Sequence, residues 1–131
     1  MKAKFDIGIV IEDGRKIISP YPHAWNKIKD NQCSTTASNV AIRCGKVNGI
    51  LVVDLDVPKE GEIDGIRYFE DNVCKISELN TLVTRSGRGG YHIYYKYCQK
   101  IASSIRLNDV NKLVSIDVLS DGKCVLERRG L

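Results

Sequence analysis

Ile50-Leu51-Val52-Val53-Asp54-Leu55-Asp56 is the stretch from which the fold is read. Its apolar, β-branched run reads as a buried strand, yet the strand ends in two carboxylates. Side chains alternate faces along a strand, so Asp54 and Asp56 share one face while Leu51, Val53 and Leu55 share the other. Two unpaired carboxylates held close together cost several kcal/mol, on the order of the penalty for buried ions, unless a cation neutralises them. Mg²⁺ or Mn²⁺ is the economical choice, because it takes oxygen ligands from one or two carboxylates and completes its shell with phosphate and water. The stretch therefore predicts a metal site that handles phosphate-bearing ligands.

Two further segments carry polar residues where a buried sheet would exclude them. Ser86-Gly87-Arg88-Gly89-Gly90-Tyr91-His92 follows the predicted strand Leu82-Val83-Thr84-Arg85 and leads into another, Tyr91 to Tyr97. Strand, glycine turn and strand in that order make a hairpin, unlike the phosphate loops that open a helix. His92, Tyr94 and Lys96 then share a face. A third carboxylate, Asp117, interrupts the predicted strand Val114-Ser115-Ile116-Asp117-Val118.

The remainder reads as short elements. Phe5 to Ile11 is a first strand, and Ala24 to Lys29 a short helix after the prolines at 20 and 22. Val40 to Arg43 and Gly49 to Asp54 are strands joined by Gly45-Lys46-Val47-Asn48-Gly49. Apolar residues at Ile63, Ile66, Phe69, Val73, Ile76 and Leu79 recur at helical spacing. Val114 to Val118 and Lys123 to Leu126 form a last hairpin around Ser120-Asp121-Gly122. Strands outnumber helices, so the expected fold class is α+β: a largely antiparallel sheet backed by one long helix, with Asp54, Asp56, His92 and Asp117 converging on an open sheet face.

At 131 residues the chain fits a single domain, and 43% hydrophobic content excludes disorder. No apolar run is long enough to cross a bilayer, and the opening Met-Lys-Ala-Lys-Phe-Asp does not read as a secretory signal. An intracellular protein is expected, without membrane partners. The five cysteines, at 33, 44, 74, 98 and 124, lack zinc-ribbon or redox-pair spacing and are expected to be free thiols. A net charge of +4 does not by itself identify a nucleic-acid binder. Arg43, Arg85 and Arg88 border the turns that carry the unusual polar residues and are candidates for phosphate contact. Arg128 and Arg129 read as solvated surface.

Each feature has a plainer alternative. The Asp-x-Asp pair could cap a strand end, His92 could be a satisfied core histidine, and Asp117 could accept a buried hydrogen bond. Tyr91, Tyr94, Tyr95 and Tyr97 read as sheet packing, with base stacking the lesser alternative.

In order, Leu-Val-Val-Asp54-Leu-Asp56, then Thr84-Arg-Ser86-Gly-Arg-Gly-Gly-Tyr-His92-Ile-Tyr-Tyr, then Ser-Ile-Asp117-Val-Leu-Ser-Asp-Gly resemble the archaeo-eukaryotic primase superfamily, specifically the primase-polymerase domains of plasmids, phages and large DNA viruses. Pro22 with Trp25 and Asn39-Val-Ala-Ile-Arg-Cys-Gly45 resemble that family's N-terminal module. The resemblance implies a single domain, with a small N-terminal α/β unit over about 1–48 and an RRM-like catalytic sheet over about 49–131. It implies DNA replication chemistry: template-directed nucleotidyl transfer with single-stranded DNA as template, nucleoside triphosphates as substrates, and a superfamily 3 helicase in the same or a separate chain. The compartment would be the cytoplasm or a viral replication site. Asp54, Asp56 and Asp117 would hold two divalent ions. Ser86, Arg88 and His92 would bind the nucleotide, with Arg43 as a looser candidate.

Two departures stand out. Leu119 occupies a place where the family commonly has a polar or basic residue, and the sequence ends at Leu131 where the family continues into a proline-containing segment, which leads us to expect a C-terminally shortened domain. Two rival readings stay open. An aspartyl-phosphate phosphatase would use Asp54 as nucleophile, Asp56 as acid/base and the Asp117/Asp121 pair on Mg²⁺. A non-catalytic sheet could bind single strands by stacking and backbone contacts. A toprim site using Glu12 leaves the second and third motifs idle, and a relaxase lacks its paired histidines.

Overall fold

The computed structural model describes residues 1–34 and 36–129. Its central sheet has four antiparallel strands in the order β10 (Ile116–Leu119), β5 (Ile50–Leu55), β7 (Tyr91–Lys96), β6 (Val83–Arg85). A second sheet of three, β1 (Lys4–Asp6), β4 (Asn39–Arg43) and β11 (Cys124–Arg128), packs beside it. Two separate hairpins complete the strands: β2 (Ile9–Glu12) with β3 (Arg15–Ile18), and β8 (Leu107–Asp109) with β9 (Lys112–Val114). One α-helix, α1 (Gly65–Asn72), lies among the described residues, so the fold is α+β with mostly antiparallel strands. Among the described residues no helix is long and apolar enough to cross a membrane.

The two faces of β5 explain the layering. Leu55 joins Phe69, Ile93, Val114 and Ile116 in a cluster to which Val53, Ile63 and Ile66 add partly buried surface, so this face is covered by α1 and its flanks. Val52, on the carboxylate face, packs with Tyr94 and Leu119 of its own sheet and with Ile42 and Val125 of the second sheet. The carboxylate-bearing face is therefore not open along its length, as the sequence suggested. Apolar residues at Val52, Tyr94 and Leu119 draw the three-stranded sheet over one end and leave the polar end as a cleft.

Three expected elements differ. The helical spacing from Ile63 to Leu79 spans a two-turn helix and a separate 3₁₀ turn, Ile76–Glu78. Asp64 caps the start by accepting from the Ile66 and Arg67 amides, and the Glu70 carboxylate takes the Ile76 amide at 2.9 Å, which ends regular helix while keeping Ile76 and Leu79 on the same core cluster. Phe5 to Ile11 breaks at Gly8, which exchanges hydrogen bonds with Ser19 and sends the chain into the β2–β3 hairpin. The expected last hairpin does not form: β10 pairs with β5, whereas β11 pairs with β4 in the other sheet. Trp25–Lys27 is a 3₁₀ turn, the helical content of the N-terminal unit.

Ser115, fully buried between β9 and β10, ties these parts together. Its hydroxyl donates to the Asp56 carbonyl at 2.8 Å and accepts from the Gly65 amide at 2.7 Å, while its backbone carbonyl accepts from the Asp56 amide at 2.9 Å. The end of β5 and the start of α1 are thus fixed to one residue beside the third carboxylate. Gly65 permits this approach, since a Cβ there would lie 2.2 Å from the Ser115 carbonyl oxygen. Gly65→Ala is expected to lower unfolding free energy by about 1–3 kcal/mol through overpacking, measured by urea denaturation.

Candidate active site

Residues opposite one another in an antiparallel sheet present their side chains on the same face. Asp117 lies opposite Asp54, Asp54 opposite His92, and His92 opposite Thr84. The three motifs therefore meet in a single row across all four strands. Asp56, two residues beyond Asp54, continues the polar face past the end of β5.

Beside this row a cavity of about 830 Å³ opens between the two sheets, and Asp54, Asp56, Ser86, Arg88 and His92 all line it. The glycine turn forms one wall. Ser86 closes the turn: its amide donates to the Gly90 carbonyl at 3.0 Å and its hydroxyl accepts from the Gly90 amide at 2.9 Å. Gly90 is required by close approach, because a Cβ there would fall 2.3 Å from the Leu55 carbonyl oxygen. Arg85 also lines the cavity and stacks over Tyr91, its guanidinium carbon 4.6 Å from the ring centroid. Arg128, read from sequence as surface, belongs to the lining too.

Arg43 is not brought to this place. Its guanidinium donates to the Ile28 carbonyl at 2.6 Å, and it is not among the residues lining the cavity. Asp117 meets the other residues through the row, and its carboxylate is turned to Arg106.

Three residues that the sequence reading passed over complete the site. Glu127 reaches across from the second sheet: its carboxylate accepts from the Thr84 hydroxyl at 3.0 Å and binds His92 Nδ1. It is a carboxylate inside an apolar strand, Cys124-Val-Leu-Glu127, the same signal that pointed to Asp117. Lys16, on the β2–β3 hairpin, lines the cavity and is close enough to His92 to act on its charge. Arg106 forms the largest set of ion pairs among the described residues: 3.1 Å from Asp56, 3.1 Å from Glu62 and 3.5 Å from Asp117, while its backbone amide donates to Asp117 Oδ1 at 2.7 Å. No pattern in the sequence marked it, since the preceding Ser-Ser-Ile resembles any loop.

Electrostatics follow from this geometry. Burial, opposed by the charge of His92 but reinforced by Asp56 and Asp117, pushes the Asp54 carboxyl up from 3.8 to about 6. Burial disfavours protonation of His92, but its hydrogen bond to Glu127 and the charges of Asp54 and Glu127 outweigh that and raise its pKa. With Nδ1 committed to Glu127, Nε2 faces Asp54 at 3.6 Å.

The donors suit a hard divalent ion: three carboxylates meet on one face, and burial, with the neighbouring charges of Asp56 and Asp117, raises the pKa of Asp54. Their present spacing is that of a site with a guanidinium in it, and no group of three His, Cys, Asp or Glu side chains among the described residues is closed tightly enough to hold an ion. Asp121, the partner of Asp117 in the phosphatase reading, instead accepts from the Tyr97 hydroxyl at 2.7 Å and the Lys46 amide at 2.9 Å. That reading also wants a doubly wound parallel sheet, and this central sheet is antiparallel.

A four-stranded antiparallel sheet carries Asp-x-Asp, a Ser-to-His glycine hairpin and a third Asp in one row. Residues 13–127 match the family model of the bifunctional DNA primase/polymerase N-terminal domain, and the chain belongs to that family. Its function is accordingly of the DNA primase/polymerase type, that of a nucleotidyltransferase-type enzyme. Among curated proteins none matches the chain.

The sign of the Asp54 shift gives a test. A carboxyl with a raised folded-state pKa destabilises the fold when ionised, fully above about pH 6 and not at all below 3.8. In EDTA, Asp54→Asn should raise stability by roughly 1–2 kcal/mol at pH 7.5, with the gain fading as pH falls through 6 toward 4, followed by thermal melts.

Proposed function

We infer that this chain catalyses template-directed nucleotidyl transfer, extending a DNA or RNA strand on single-stranded DNA from nucleoside triphosphates. The observation that carries the reading is the row Asp117–Asp54–His92 beside a cavity with basic residues on its wall. Asp54, Asp56 and Asp117 would hold Mg²⁺ or Mn²⁺, two ions in the full site. Metal held there would supply a lowered pKa for the attacking 3′-hydroxyl and charge neutralisation of the leaving pyrophosphate.

The protein's own groups have distinct tasks. His92, held by Glu127 at Nδ1, offers Nε2–H to a phosphate oxygen of the incoming nucleotide. Lys16 and Arg88 both line the cavity and would supply positive charge to the triphosphate. Ser86 keeps the glycine turn closed, so that its backbone can lie against the phosphates. A role in replication, beside a superfamily 3 helicase in the same or a separate chain, fits this chemistry.

Incorporation of labelled nucleotide on a primed single-stranded template, in Mg²⁺ or Mn²⁺, tests the reading. Asp54→Ala with Asp56→Ala is expected to reduce incorporation by at least about 10²-fold with the circular dichroism spectrum retained. Unchanged incorporation in that double variant would remove the site assignment. Binding of single strands without incorporation by the unaltered chain would favour a non-catalytic module. His92→Ala is expected to raise the KM for the triphosphate about ten-fold, more than it lowers kcat.

A further inference from the structure

Carboxylates clustered on one face demand a counter-charge, and the chain already contains one. The side chain of Arg106 is only 11% exposed and extends its fork to Asp56, Glu62 and Asp117. Nη2 meets Asp56 and Nε meets Glu62 with hydrogen-bond geometry, both at 3.1 Å. Nη1 stands 3.5 Å from Asp117 and, though buried, has no hydrogen-bond partner among the described residues. The backbone helps to hold this arrangement. Arg106 has φ 53, a left-handed conformation uncommon for a residue with a side chain, and its amide donates to Asp117. One residue thus engages the third carboxylate through both its main chain and its guanidinium.

Two of the three carboxylates assigned to the metal are therefore already paired with a cation. We propose that Arg106 is the internal counter-ion of the carboxylate site and competes with the divalent ion, so that metal binds by exchange with the guanidinium. The inference rests on the nucleotidyl-transfer reading, through its assignment of Asp54, Asp56 and Asp117. Exchange is chemically balanced: a monovalent guanidinium leaves two carboxylates, a divalent ion takes its place, and no bond or proton is transferred. Glu62 makes the departure local. It is not on the carboxylate row, and its contact with Nε can hold the arginine while the two Nη groups swing away from Asp56 and Asp117. The competition has a use before metal arrives, since without Arg106 the three carboxylates would repel one another across β5 and β10.

A residue that merely braced the site and one that competes for it predict opposite signs. Mn²⁺ affinity is measured by isothermal titration calorimetry, without nucleotide, for the unaltered chain, Arg106→Gln and Arg106→Lys. Competition predicts that Arg106→Gln binds Mn²⁺ about ten-fold more tightly, with Arg106→Lys between the two. Equal or weaker binding by Arg106→Gln, with the unaltered chain binding normally, would overturn the competition and leave the metal site standing. Failure of all three proteins to bind Mn²⁺ would overturn both the metal site and the competition. Should Arg106→Gln not fold, the unaltered chain answers alone: titration with diamagnetic Mg²⁺ should shift the Arg106 Nη–H resonances as their contacts with Asp56 and Asp117 are lost, and resonances unmoved at saturating Mg²⁺ would overturn the exchange.

Discussion

Everything in the central sheet depends on how like charges are tolerated side by side. Asp54 and Asp117 are direct cross-strand partners, and like charges opposite each other weaken a sheet. The structure tolerates them by dividing positive charge over the row: His92 faces Asp54 on one side, and Arg106 spans Asp117 and Asp56 on the other. Burial, reinforced by the charges of Asp56 and Asp117, nevertheless raises the pKa of Asp54. Under the proposed metal reading, a further cation at this site would gain free energy from the three carboxylates.

The second sheet contributes more than bulk. It covers Val52, Tyr94 and Leu119 and so confines the polar residues to one end of the face, where a cavity remains. It also delivers Glu127, a buried carboxylate that binds His92 Nδ1. His92 is therefore set from two directions, by Asp54 in its own sheet and by Glu127 from the other. Tyr94 lies beside them, its hydroxyl buried and lacking a hydrogen-bond partner among the described residues, with burial and the charge of Glu127 raising its pKa. The cleft is an interior environment at its base and a solvent-facing one at its rim, where Lys16 and Arg88 are exposed.

Ser115 shows how a single polar residue can link fold and site. A strand prediction over Val114 to Val118 treats it as an ordinary strand position, but its hydroxyl and carbonyl are spent on Asp56 and Gly65. Arg106, immediately before β8, comes back over the carboxylates through its contacts with Asp56, Glu62 and Asp117. The loop and hairpin from Ser104 to Val114 thus serve the site although they carry none of the three motifs.

The sequence by itself determined the α+β class, the strands that bear Asp54, His92 and Asp117, the glycine hairpin, and the family, because local alternation and turn chemistry are written in consecutive residues. Membership rests on motif order, which the chain states directly. Helical spacing from Ile63 to Leu79 was legible as a buried face but not as two separate elements, since periodicity registers which side is covered and not whether backbone hydrogen bonds continue. Tertiary structure alone decided the pairing of β10 with β5 and of β11 with β4, the cover over half the carboxylate face, and the arrival of Arg106, Glu127 and Lys16. Those depend on contacts between residues distant in the chain, such as Glu127 with His92, 35 positions apart, and Arg106 with Asp56, 50 positions apart, where no local propensity operates. The counter-charge for an acidic strand must come from somewhere in space, and only the folded chain shows from where.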